Sequence, residues 1–133
     1  MYETELNLLA QSEANPSRKP LTDEEIHALK TEFPGLPSDY LTYLKEVGWG
    51  DILNSGFMVY GEPMTLPDID IDESEYLNQL LLFGDNFSGD FSAFDPENGF
   101  KVVEIWHESW EVYDPGKSFQ EYISEEIRDR IPR

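Results

Sequence analysis

The hydrophobic period of the chain changes from helical to strand-like at Gly48-Trp49-Gly50, and this change limits the folds open to it. Before that point apolar residues recur at three and four positions, as on helices, and from there to about residue 117 they come in short runs separated by turn residues. Tyr2, Leu6 and Leu9 have helical spacing up to a break at Asn15-Pro16-Ser17. A second helix is predicted from Thr22, because Thr22-Asp-Glu-Glu25 has the form of a capping box and places acids at the positive end of the helix dipole. Ile26, Leu29 and Phe33 are its apolar stripe, and Pro34-Gly35-Leu-Pro37 ends it. Ser38-Asp39 can cap a third helix carrying Tyr40, Leu44 and Val47 on one face.

Beyond Gly50, Asp51 to Asn54 and Phe57 to Tyr60 flank Ser55-Gly56 as a hairpin, and Leu80 to Phe83 reads as a buried strand. Phe91 to Phe94 follows, closed by the turn chemistry of Asp95-Pro-Glu-Asn-Gly99. Lys101 to His107 is the strongest strand: Val103 and Ile105 face one way and Val102 and Trp106 the other, as in a central strand covered on both sides. A short strand at Glu111 to Tyr113 precedes a last helix, capped by Ser118, with Phe119, Ile123 and Ile127 inward and Arg128 and Arg130 at its negative pole. Helices, then antiparallel strands, then a closing helix describe an α+β domain.

The 133 residues carry 9 Lys plus Arg against 28 Asp plus Glu, a net charge of 9 − 28 = −19. Disorder does not follow, because disordered acidic chains lack aromatics and 14% of this chain is aromatic. A pI near 4.1 opposes binding to DNA, RNA or anionic lipid and favours basic partners. Without Cys, disulfide frameworks, thiolate chemistry and cysteine-bearing metal sites are excluded. With no signal-like or membrane-spanning apolar run, the expected location is the cytoplasm.

The charge is unevenly placed. Between Lys45 and Lys101 there is no Lys, Arg or His, yet the interval holds twelve carboxylates, so no sequence-local partner neutralises them. Within it, Asp68, Asp70, Asp72, Glu73 and Glu75 form the densest stretch, followed by Asp85 and Asp90. Asp68-Ile-Asp-Ile-Asp72 has the opening of a calcium loop, but Glu73 stands where the sharp turn needs Gly and Gln79 where a bidentate Glu belongs. The stretch from Asp85 to Asp90 fails the same test at Phe87. His27 and His107 neighbour no nucleophile in a recognisable motif, and there is no nucleophile elbow, phosphate loop or dinucleotide fingerprint. His27 reads as a surface residue, and His107, in line with Val103 and Ile105, as a structural or edge residue. The expectation is a protein that is not an enzyme and has no cofactor or metal. The acidic stretch then serves to dock a cationic partner, with Trp49 as an aromatic anchor.

Five ordered pieces resemble the SUKH superfamily, which includes yeast cell-wall assembly regulators and many small bacterial proteins. They are Leu36-Pro-Ser-Asp-Tyr40-Leu-Thr-Tyr-Leu-Lys-Glu-Val47-Gly-Trp-Gly50, Val59-Tyr-Gly61, Leu82-Phe-Gly-Asp-Asn-Phe-Ser-Gly-Asp-Phe91-Ser-Ala-Phe-Asp95, Val102-Val103, and Ser118-Phe-Gln-Glu-Tyr122-Ile. The resemblance implies an antiparallel sheet flanked by helices and, in bacteria, an immunity role: neutralising a cognate polymorphic toxin, often a nuclease, by direct binding. The yeast members suggest an alternative, a regulatory scaffold that binds a housekeeping protein. The family supplies no fixed contact residues, so the expected partner surface rests on Asp68, Asp70, Asp72, Glu73, Glu75, Asp85, Asp90 and Trp49. The expected organisation is a single SUKH-like domain over residues 20–131 behind a helical extension over residues 1–19, with the oligomeric state left open.

Overall fold

The computed structural model describes residues 1–13, 16–53 and 56–131. Asn15 of the expected break, and Asn54 and Ser55 of the expected hairpin, lie outside the described residues. Three helices come first, α1 (Glu3–Ser12), α2 (Asp23–Glu32) and α3 (Ser38–Glu46). Strands β1 (Gly50–Ile52) and β2 (Phe57–Met64) follow, then a short helix α4 (Glu75–Gln79), β3 (Leu81–Asp85), β4 (Phe91–Asp95), β5 (Lys101–Trp106), β6 (Glu111–Tyr113) and α5 (Phe119–Arg130). The strands form one antiparallel meander in chain order, β1 to β6. The expected α+β class is the observed one.

Local chemistry accounts for most boundaries. The Thr22 capping box forms, with Glu25 N–H donating to Thr22 Oγ1 at 3.2 Å and Thr22 N–H to Glu25 Oε1 at 3.0 Å, and Ser118 and Glu121 repeat it on α5. At α3 the cap differs from the expectation. Pro37 takes the N-cap position, which frees Asp39 to accept from Gln120 N–H at 2.9 Å and so tie α3 to the start of α5. The helix-to-sheet turn needs its glycine: Gly48 has φ +101°, and a Cβ there would lie 2.5 Å from the Lys19 backbone. In α1 the buried stripe runs through Tyr2, Glu5 and Leu9, and Leu6 faces solvent.

Both faces of the sheet are covered. On the first, Phe57, Val59, Leu81, Phe83, Phe94 and Val102 pack beneath α1, α2, α3 and α5. Its centre is aromatic: Phe83 lies 4.6 Å from Phe94, and Phe119 stands edge-on to Tyr40 and Phe83 at 5.2 Å each. On the second face, Leu82, Ala93, Val103 and Ile105 are covered by Leu66, Leu77 and Leu80 of the connection between β2 and β3. That connection holds a 3-10 turn (Pro67–Ile69) and α4, neither of which hydrophobic periodicity revealed. Val103 and Ile105 do face one cluster and Val102 the other, but β5 is next to last in the sheet. Trp106 therefore lies past the helical cover and is 41% exposed.

Residues 1–13 and 16–19 are built into this body. The bidentate pair of Arg18 with Glu13, 2.7 Å at both nitrogens, is almost wholly buried, and Glu13 also accepts from Leu53 N–H at 2.8 Å. It joins the end of α1 to the end of β1. Truncating the aromatic centre should be costly: Phe119→Ala is expected to lower stability by about 3–5 kcal/mol, measured by urea unfolding, whereas Leu6→Ala should change it little.

Candidate partner-binding surface

The acidic stretch is exposed because of what lies between its acids. From Asp68 to Asp72 acidic and apolar residues alternate, and Ile69 and Ile71, with Leu66 before them, turn toward the second sheet face. Asp68, Asp70 and Asp72 are thereby left in solvent, with Glu73 and Glu75 continuing the row. Hydrogen bonds hold the backbone in this shape. Asp68 Oδ2 accepts from Thr65 N–H at 2.9 Å, Asn78 Nδ2 donates to Asp72 Oδ1 at 2.9 Å, and Ser74 caps α4. Asp70 sits at φ 63°, in the left-handed region that Asp tolerates better than most residues. No ion pair reaches these five acids among the described residues.

Asp85 and Asp90 belong to a different place. They flank the loop between β3 and β4, at the end of β3 remote from α4. Tyr60 Oη donates to Asp85 Oδ2 at 2.5 Å, and burial together with this bond pushes the phenol up. Asp90 accepts from His107 N–H at 3.1 Å and pairs with His107 Nδ1 at 2.7 Å. Gly89 permits the approach: at φ +96°, a Cβ on it would meet the His107 ring at 3.1 Å. His107 thus lies just beyond β5 and pins a loop, in keeping with a structural role. The loop presents Phe87, 51% exposed, at φ 63°. The expected contact set is therefore one continuous row of five acids plus a separate loop at the sheet end.

Trp49 lies in a groove that also includes Tyr60, the partner of Asp85. The Trp49 side chain is half-buried, packed on Gly61 with the Lys19 ammonium 5.7 Å from its ring centroid, and the groove it lines, of about 540 Å³, runs between α2 and β2. The groove floor is apolar, from Leu21, Ala28, Met58 and Met64, and its acids are Glu25, Glu32 and Glu62. It exists because β1 pairs with β2 only as far as Val59, so among the described residues the Tyr60–Met64 half of β2 has no strand on that side. Sequence reasoning missed it, because Gly61 and Pro63 disguise the second half of β2. Among the described residues no three of His, Asp and Glu are placed to hold a metal ion.

A covered antiparallel meander of this kind, with helices leading into it and one closing it, defines a class by its order of elements. The chain belongs to the SMI1 / KNR4 family (SUKH-1), whose model matches residues 20–125. No curated protein and no solved structure matches it. No helix among the described residues is long and apolar enough to cross a membrane.

The Asp90–His107 contact gives a pH test. Hydrogen bonding from the His107 ring, ahead of other causes, holds the Asp90 carboxyl below the usual range. Its contribution is complete above the ordinary Asp value of about 4 and is lost as pH falls through the lower folded value. The Asp90 carboxyl should titrate by NMR below free Asp, and the His107 amide should lose exchange protection in the same acidic window. An Asp90 titration at or above the ordinary value would refute the contact.

Proposed function

We propose that this protein is an immunity protein of the SUKH type, a binding module rather than an enzyme, which neutralises a cognate toxin domain in the cytoplasm by direct contact. The observation that carries the reading is the row Asp68, Asp70, Asp72, Glu73 and Glu75, exposed on one cover segment with no ion pair among the described residues, in a chain of the SMI1 / KNR4 family. A toxin that acts on nucleic acid must hold polyanions, so its cleft is basic, and a surface dense in carboxylates complements it. The row acts first on encounter: clustered charge speeds association and rejects partners of like sign. The same family membership supports a regulatory scaffold as the alternative, and gene context separates the two, since a toxin gene beside this one favours immunity.

Coexpression should rescue cells from the product of the adjacent toxin gene. Reversing Asp70 and Asp72 to Lys should slow association about tenfold at low salt, with the difference shrinking as salt screens it, as read by surface plasmon resonance. No rescue and no complex with that gene product would remove the immunity reading. Unchanged association after reversal across the whole row would remove this surface from it.

A further inference from the structure

The groove beside Trp49 has features that the acidic row lacks: a concave volume, an apolar floor and thioether side chains. Trp49, Met58 and Met64 line it together with Leu21 and Ala28, and the half of β2 beyond its pairing with β1 runs along it. Large flexible apolar side chains of this kind adapt to a guest side chain, and a volume of about 540 Å³ falls within the range of ligand-holding clefts. The polar lining has one sign. Glu25, Glu32 and Glu62 stand around the apolar floor, no Lys, Arg or His lines it, and Glu32 and Glu62 make no ion pair among the described residues. The nearby cation, Lys19, lies over the Trp49 ring, 5.7 Å from its centroid.

We infer that this groove is the anchoring site for a partner protein, taking a segment in which a bulky apolar side chain is flanked by Lys or Arg. The apolar side chain fills the floor against Trp49, Met58 and Met64, and the flanking cations meet Glu32 and Glu62. Charge decides among occupants. An acidic or neutral apolar segment would leave the carboxylates facing a desolvated groove without counterions, and a second copy of a chain of net charge −19 meets like-charge repulsion. The inference rests on the protein-binding reading above and divides the labour: the acidic row sets how fast the partner arrives, and the groove sets how slowly it leaves.

The test is an NMR titration of the full chain with three capped peptides, Lys-Arg-Leu-Phe-Lys-Arg, its charge-only counterpart Lys-Arg-Gly-Gly-Lys-Arg, and Glu-Glu-Leu-Phe-Glu-Glu. The first should shift the Trp49 indole N–H, the Gly61 amide and the Met58 and Met64 methyls, and the other two should not. Ala28→Trp fills the groove from an exposed helix position and should weaken the first peptide about tenfold or more, as should Glu32→Lys with Glu62→Lys. Asp68→Lys with Asp70→Lys should leave it nearly unchanged. Circular dichroism melting checks that each variant remains folded. Equal binding of the glycine peptide, equal binding of the glutamate peptide, shifts centred on residues 68–75, or full affinity in a folded Ala28→Trp protein would each overturn the inference. Self-association that Ala28→Trp abolishes, seen by sedimentation, would overturn it in favour of a second copy. The two readings fail separately. Toxin binding that ignores the groove variants sinks the groove alone, and peptide binding in the groove without toxin neutralisation sinks immunity alone.

Discussion

Burial of the second face of the sheet shapes the surface of this protein. A meander of six strands exposes apolar side chains on both sides, and helices α1, α2, α3 and α5 lie over only one of them. The other is closed by the connection from β2 to β3, which places Leu66, Leu77 and Leu80 inward. A cover made from one chain segment has an outside as well as an inside. Because Ile69 and Ile71 turn toward the sheet, Asp68, Asp70 and Asp72 beside them must turn to water. The acidic row is therefore a consequence of packing, and its shape is held by the Thr65 and Asn78 hydrogen bonds rather than by counterions.

The first face works by a different rule. Tyr40, Phe83, Phe94 and Phe119 come from α3, β3, β4 and α5, and the edge-on contacts of Tyr40 with Phe94 and of Phe119 with Tyr40 and Phe83 fix how the helices lie on the strands. Polar ties add direction at its margins. Asp39 meets Gln120 N–H, Tyr122 Oη donates to Glu104 Oε2 at 2.6 Å, and Glu13 holds Arg18. The groove beside Trp49 is a by-product of the same layout. A short β1 leaves half of β2 uncovered, and α2 forms the opposite wall.

Much of this was legible in the residues. Thr22-Asp-Glu-Glu25 and Ser118-Phe-Gln-Glu121 announce their helices because a capping box satisfies its donors within one turn. The alternation in Lys101–Trp106 announces a strand with two buried sides for an equally local reason. Helix α4 was not legible, since five residues after Ser74 are too few to show a period. The full length of β2 was hidden by Gly61 and Pro63, residues that ordinarily end strands.

By itself the sequence determined the α+β order of elements, the family, and the concentration of carboxylates in an interval without bases, because each is written in neighbouring residues or in composition. Only the tertiary structure decided which acids stand together. Asp85 and Asp90, which share the base-free interval with the row, are carried by β3 to the far end of that strand, where Tyr60 and His107 engage them. It also decided that Trp49 faces a groove rather than the acids. Where a side chain ends up depends on strand pairing and on which surface must be hidden from water, and both are set by residues distant in the chain.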